Sequence, residues 1–248
     1  MRLTVIGCSG SFPGPDSPAS CYLVEHDGFR LLLDLGNGSL GVLQRYIALD
    51  EIDGIALTHL HADHCLDLCG LYVAGHYHPD GPRPRIPVWG PADSAARMAR
   101  AYDLPEDPGM TGQFDFRTLV VGEQRIGPFT VEAAHVNHPV EAFGLRIEAD
   151  GHAITYSGDT AETPALVELA RGCDVALFEA SCLESNPSPG VHLTARQAAE
   201  HAQAAEVGLL VLTHLVAWND PAETLAEAAE VFTGELLLAS SGLVIDVA

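Results

Sequence analysis

The segment LTHLHADHCLD, residues 57–67, constrains this chain more than any other. It places His59, His61, Asp63 and His64 within six positions, directly behind the apolar run Ile55, Ala56, Leu57. A buried polar group left without a partner costs about 1–3 kcal/mol, so a core has no use for so many in one place. A metal ion satisfies them: zinc takes imidazole nitrogen and carboxylate oxygen, and a catalytic site keeps a position open for water.

Further donors follow along the chain. His138 comes after a predicted strand in AAHVNHP, Asp159 lies in the turn YSGDT after HAITYS, and His214 lies in LVLTHL, residues 210–215. That last segment echoes IALTHL of residues 55–60, so two buried strands each run out into Thr-His, where sites are commonly built. Seven donors (His59, His61, Asp63, His64, His138, Asp159, His214) exceed one ion's need. His59 and His61 share a side of an extended segment, whereas Asp63 and His64 turn away as a helix begins. The spacing therefore predicts two neighbouring ions with Asp159 bridging them. Two ions about 3.5–4 Å apart hold a water, lower its pKa and clamp a phosphoryl oxygen, which predicts a hydrolase. His135 competes with His138 on spacing alone. His76 and His78 read as exposed loop, and Gly7 to Gly10 in GCSGS as a tight turn, with close approach to a phosphate as the alternative.

Apolar segments predict strands at 3–7, 21–26, 29–36, 52–59, 86–90, 117–121, 128–135, 143–149, 152–157, 174–179, 207–213 and 243–247. Helices are predicted at 93–101, with Asp93 at its head, at 164–171, opened by Thr163-Pro164, and over HLTARQAAEHAQAAEVG, where Thr194 and Gln197 have capping-box spacing. Strands in both halves with helices between them predict an α/β sandwich, two sheets face to face with helices outside. No Ser-, Gly- or Pro-rich linker divides the chain, so one domain over residues 1–248 is expected.

The formal charge is −22, with twelve arginines and no lysine. Proteins that hold nucleic acid gain affinity from cations that neutralise phosphates, so this chain is poorly suited to a polyanion. A small substrate remains compatible, because bound metal supplies local positive charge. Six cysteines (Cys8, Cys21, Cys65, Cys69, Cys173, Cys182) are spread without a CxxC pair and read as reduced thiols, with Cys65 a neighbour of the histidines. Neither a signal sequence nor a membrane span is legible, so a soluble, cytoplasmic protein is expected.

Taken in order, HLHADH, the H-x5-G run from His138 to Gly144, SGDT and the second Thr-His resemble the ribonuclease Z-like branch of the metallo-β-lactamase fold. The likeness extends over nearly the whole chain and implies an αββα sandwich of two mixed sheets. It selects His138 over His135, and makes Asp34 in LLLDLGNG the carboxylate that supports the histidine loop. Ribonuclease Z enzymes pair a Glu with a His, and FEAS and HLTA put Glu179 and His192 in those positions. The resemblance implies that His192, oriented by Glu179, protonates the departing oxygen, while Asp63 and the ions orient the attacking hydroxide. Those enzymes also carry a long basic arm for transfer RNA between the motifs of His138 and Asp159. Here twenty residues separate the two, and none is lysine.

GCSGSFPGPDSPASCYLV, GNGSLGVLQR, LHADHCLDLCGLYV and HPVEAFGLRI look more like the bacterial atypical class II cyclic nucleotide phosphodiesterases. That resemblance implies hydrolysis of 3′,5′-cyclic AMP to 5′-AMP and a homodimer. Two zinc ions are the expected cofactors, with manganese the alternative. The rivals are ribonuclease Z-like RNA cleavage or another ester hydrolysis on the same scaffold, and a metal-binding regulator without turnover.

Overall fold

The computed structural model describes residues 1–247. Its central strands are near-continuous apolar runs because both of their faces are covered. The first sheet takes β1 (Arg2–Gly7), β2 (Cys21–His26), β3 (Phe29–Leu33), β4 (Gly54–Ala56), β5 (Ile86–Gly90) and β6 (Phe114–Thr118). The second takes β7 (Gly122–Ile126), β8 (Phe129–His135), β9 (Phe143–Ala149), β10 (His152–Tyr156), β11 (Val175–Glu179), β12 (Leu209–Thr213) and β13 (Glu235–Leu238). The last strand, β14 (Val244–Asp246), crosses back to pair with β1, giving two seven-stranded sheets.

Both sheets are mixed and built alike. β1 to β3 and β7 to β10 pair antiparallel, while β3 to β6 and β10 to β13 pair parallel. Alternation sorts the side chains. Leu31, Leu33, Tyr22 and Val24 meet Leu145, Ile147, Leu177 and Val211 between the sheets. Leu32 and Leu23 face outward to α1 (Ser39–Leu43), α3 (Leu68–His76) and α4 (Ser94–Ala101), and the short α2 (Ala62–Cys65) comes between α1 and α3 in the chain. Ala176, Phe178, Leu210 and Leu212 face outward to α5 (Pro164–Ala170), α6 (Ala195–Ala204) and α7 (Pro221–Ala229). This is the αββα sandwich the sequence predicts.

Local signals explain most boundaries. Thr163 caps α5 by accepting from the Ala165 amide, and Thr194 and Gln197 close the capping box of α6. Asp93 stands at the N-cap of α4 without capping it, because its carboxylate pairs with Arg100 at 2.7 Å. The strand expected over 29–36 stops at Leu33, since Asp34 turns into the left-handed region at φ 60°. The run 117–121 is no single strand. It spans the end of β6 and the link to β7, with Val120 and Val121 exposed. All six cysteines are free, and no helix among the described residues is long and apolar enough to cross a membrane.

Candidate metal centre

Ligands in open sheets collect beyond the carboxyl ends of parallel strands, and this sandwich does so twice. His59 follows β4, while Asp159, Glu179 and His214 come at the ends of β10, β11 and β12. Backbones approach closely to seat these loops. A Cβ on Gly36 would lie 1.9 Å from the Asp63 carbonyl, and one on Gly10 2.5 Å from that of His214. Gly10 of GCSGS thus locks its loop against that of His214, and the Ser11 amide beyond it donates to Asp63 Oδ2 at 2.9 Å.

The structure brings His59, His61, His138 and Asp159 into one quartet and Asp63, His64, His214 and Asp159 into a second. Each quartet draws on both sheets. His135 lies apart, stacked on Phe143, and His76 stacks on Tyr72. His78 is held by Arg83 at 2.9 Å. Cys65 touches the motif only through a hydrogen bond to the His61 carbonyl.

Hydrogen bonds on the outer ring nitrogens determine what the inner ones present. The Thr58 hydroxyl gives its proton to Asp34, so it accepts from His59 Nδ1–H at 3.1 Å. His138 Nδ1–H donates to the Val191 carbonyl (3.0 Å), and His64 Nδ1–H to Asp34 Oδ2 (2.7 Å). Ser181 donates to the His214 carbonyl and accepts from His214 Nδ1–H at 2.5 Å. Four Nε2 atoms therefore turn inward. His59 Nε2 and His138 Nε2 stand 3.1 and 3.2 Å from the same His61 Nδ1, and one proton cannot bridge both gaps.

The same unmet demand recurs in the second quartet. His64 Nε2 and Asp159 Oδ1 are buried without a hydrogen-bond partner although 3.1 Å apart. His214 Nε2 lies 3.1 Å from Asp63 Oδ2 and 3.4 Å from Asp159 Oδ1. Four donors at about 2.0–2.1 Å around a tetrahedral ion sit roughly 3.3 Å from one another, so the donor sets fit metal ions. Asp159 turns Oδ2 toward His59 (3.7 Å) and Oδ1 toward His64, the disposition of a bridging carboxylate.

Electrostatics follows from this packing. Burial holds the His59, His61 and His138 rings below their ordinary pKa, neutral and able to donate a lone pair. Burial works against the Asp63 and Asp159 carboxylates, yet His214 and His64 hold both well below the usual range. Burial also opposes charge on His64, and Asp159 and Asp34 overcome it, holding that ring well above its ordinary value.

Beside the quartets, His192 Nδ1–H donates to Glu179 Oε1 at 2.8 Å. Burial disfavours the His192 cation, but Glu179 pushes its pKa up to about 9. Glu179 is fully buried and held by the amides of Thr160 and Ser181. Asp34, also fully buried, accepts from Thr58, His64 and, at 2.8 Å, the Tyr156 hydroxyl. Tyr156, Ser181 and Ser11 were not singled out from the sequence, where each is an ordinary strand or loop residue.

Comparison with known proteins agrees with this picture. Residues 30–215 match the beta-lactamase superfamily domain. An uncharacterized protein of Mycobacterium leprae (strain TN) is 42% identical over 253 residues, covering 100% of this chain and 89% of its own. The probable metallo-hydrolase YhfI of Bacillus subtilis (strain 168) is 28% identical over 98% of this chain and 99% of its own. Its crystal structure superposes with a TM-score of 0.89 at 26% identity, covering 98% of both chains. A ribonuclease Z of Haloferax volcanii is 29% identical over 306 aligned residues, covering 100% of this chain and 95% of its own. The superfamily match takes in most of the sequence and every residue of both quartets, and on that ground the chain belongs to the beta-lactamase superfamily, with the fold of its metallo-hydrolases.

Proposed function

We propose that the protein is a dinuclear-metal phosphodiesterase that hydrolyses 3′,5′-cyclic AMP to 5′-AMP. The observation that carries the phosphodiesterase part of this reading is the His192–Glu179 pair, a proton donor held at the rim of two adjoining donor quartets. A phosphodiester with a poor alkoxide leaving group needs both a metal-clamped phosphoryl group and an acid. His59, His61, His138 and Asp159 would hold one ion and Asp63, His64, His214 and Asp159 the other. These imidazole-rich sets suit zinc, with manganese the alternative. When bound, two divalent ions acidify a water and neutralise charge developing on the phosphoryl oxygens.

The remaining work falls to the chain. Asp63, fixed by the Ser11 amide, orients the attacking water. Glu179 keeps Nδ1 of His192 occupied, so Nε2 is the nitrogen that hands a proton to the 3′-oxygen as it leaves. Asp34 fixes the His64 ring from behind.

A small substrate is supported over RNA by the charge of −22 without lysine. It is also supported by the 306 aligned positions against 248 residues, which give the Haloferax ribonuclease Z segments without counterpart here. That 29% identity is what favours RNA cleavage as the second reading. The test is chromatographic detection of 5′-AMP from 3′,5′-cyclic AMP, before and after chelation and re-addition of zinc or manganese. Metal-dependent product, lost in Asp63→Ala, is expected. A protein with two bound ions that leaves cyclic AMP intact would overturn the assigned substrate, and metal-dependent cleavage of precursor transfer RNA would install the second reading.

A further inference from the structure

Two large aromatic rings stand in water on the loops that carry Ser11 and His214. Phe12 is 42% and Trp218 65% exposed, yet they rest on each other with centroids 5.5 Å apart and planes tilted by 38°. Their loops are stitched together, the Gly10 amide donating to the Leu215 carbonyl (3.0 Å) and the Leu215 amide to that of Cys8 (2.8 Å). Both loops also carry the site. Ser11, immediately before Phe12, donates its amide to Asp63, and its nitrogen lies 3.4 Å from His214 Nε2. Trp218 comes four residues after His214.

A lone exposed ring needs no explanation, but two rings tilted against each other on the loops that carry Ser11 and His214 make an apolar face with one side still wet. The charged groups sharpen the point. Among the described residues no arginine hydrogen bond or ion pair reaches the quartets, and the chain has no lysine. A phosphodiester would be met at its phosphate by metal and by His192, and neither distinguishes one organic group from another.

We infer that Phe12 and Trp218 form the platform on which the nucleobase of the substrate stacks, and that this platform sets which phosphodiesters the centre accepts. The inference rests on the phosphodiesterase reading and names the residues that give it a nucleotide preference. Stacking on an aromatic ring uses the π-face every base presents, which fits a rim with rings and no edge-reading side chain assigned.

The test is binding of 5′-AMP and of ribose 5-phosphate, which lacks the base, to the metal-loaded protein. Tryptophan emission and calorimetry provide the readouts. The other tryptophan, Trp89, is 6% exposed beneath Arg117, so a base-dependent change reports Trp218. Quenching by 5′-AMP and none by ribose 5-phosphate is expected. Trp218→Ala and Phe12→Ala should each weaken 5′-AMP about ten-fold or more and leave ribose 5-phosphate affinity in place, while Trp218→Tyr restores 5′-AMP binding. With cyclic AMP as substrate the loss should fall mainly on KM. Equal affinity for the two ligands, or equal weakening of both in Trp218→Ala, would overturn the platform. So would emission that shifts on dilution and not on nucleotide addition, which would put the pair between two copies of the chain. Base-dependent binding without hydrolysis of cyclic AMP would instead keep the platform and sink the phosphodiesterase reading.

Discussion

Tyr156 does work that the histidine motif alone does not reveal. Its hydroxyl donates to Asp34 Oδ2, its ring packs at 4.9 Å on Tyr22, and the Tyr22 hydroxyl bonds Thr213 Oγ1 at 2.7 Å. A line of buried contacts thus joins His64 in α2 to Thr213, the residue before His214, at the end of β12. Tyr156→Phe removes one donor from a buried carboxylate, so it should cost about 1–3 kcal/mol of stability. It should also weaken metal binding roughly 10–100-fold in competition with a chromogenic chelator. His192→Ala should lower kcat about 10²–10⁴-fold with metal content unchanged by elemental analysis, and metal loss in that variant would refute its assigned role. In the chelated protein Glu179 raises the His192 pKa from 6.5 to about 9. A raised pKa stabilises the fold fully below the unfolded value and loses that contribution as pH rises through about 9. The melting temperature of the chelated protein should therefore fall across that window, and Glu179→Gln should flatten the dependence. The donor residues were visible in the sequence because few other uses exist for them. Tyr156 and Ser181 were not, because a strand tyrosine or a loop serine is commonplace until its partner is placed across the sandwich.

Among the elements, the loops that hold the site are tighter than the helices behind them. Gly36→Ala would drive a Cβ into the Asp63 backbone, where neither side can retreat. The variant should lose metal and unfold several degrees lower, or fail to fold, as followed by circular dichroism and metal analysis. Thr194→Ala should cost about 1 kcal/mol through the α6 cap, a loss visible in chemical denaturation. Caps made α5 and α6 legible, and continuous apolar runs did so for the buried strands. Other elements carried weaker signals. The helix α3 (LCGLYVAGH) has apolar residues around its circumference, with Val73 exposed and Leu71 buried, so no amphipathic period marks it. The edge strands β7 (GEQRI) and β13 (ELLL) are short and partly polar, whereas the exposed Val120 and Val121 between the sheets imitate a strand.

For the whole molecule, a surplus of like charge meets a centre whose donor sets fit cations. Removing the metal should leave the inward-facing donor atoms of both quartets crowded against one another. At ion concentrations a hundred times Kd, each bound ion stabilises by about 2.7 kcal/mol. Chelation should therefore lower the melting temperature by roughly 5–10 °C per ion in differential scanning calorimetry, and added zinc should restore it. The sandwich was readable from strands in both halves and helices between them. That β14 returns to the first sheet was not, since three residues of Val-Ile-Asp name no partner.

Apart from that returning strand, each sheet is one unbroken stretch of chain, and the crossing at Val120–Val121 is exposed. A cut there would yield two pieces, the first bearing His59, His61, Asp63 and His64 and the second His138, Asp159 and His214. Neither piece holds a full quartet, so the ions would act as rivets between separate polypeptides. Co-expressed fragments should reassociate in the presence of zinc and separate in chelator, and the centre that performs the chemistry would then report whether the two halves have met.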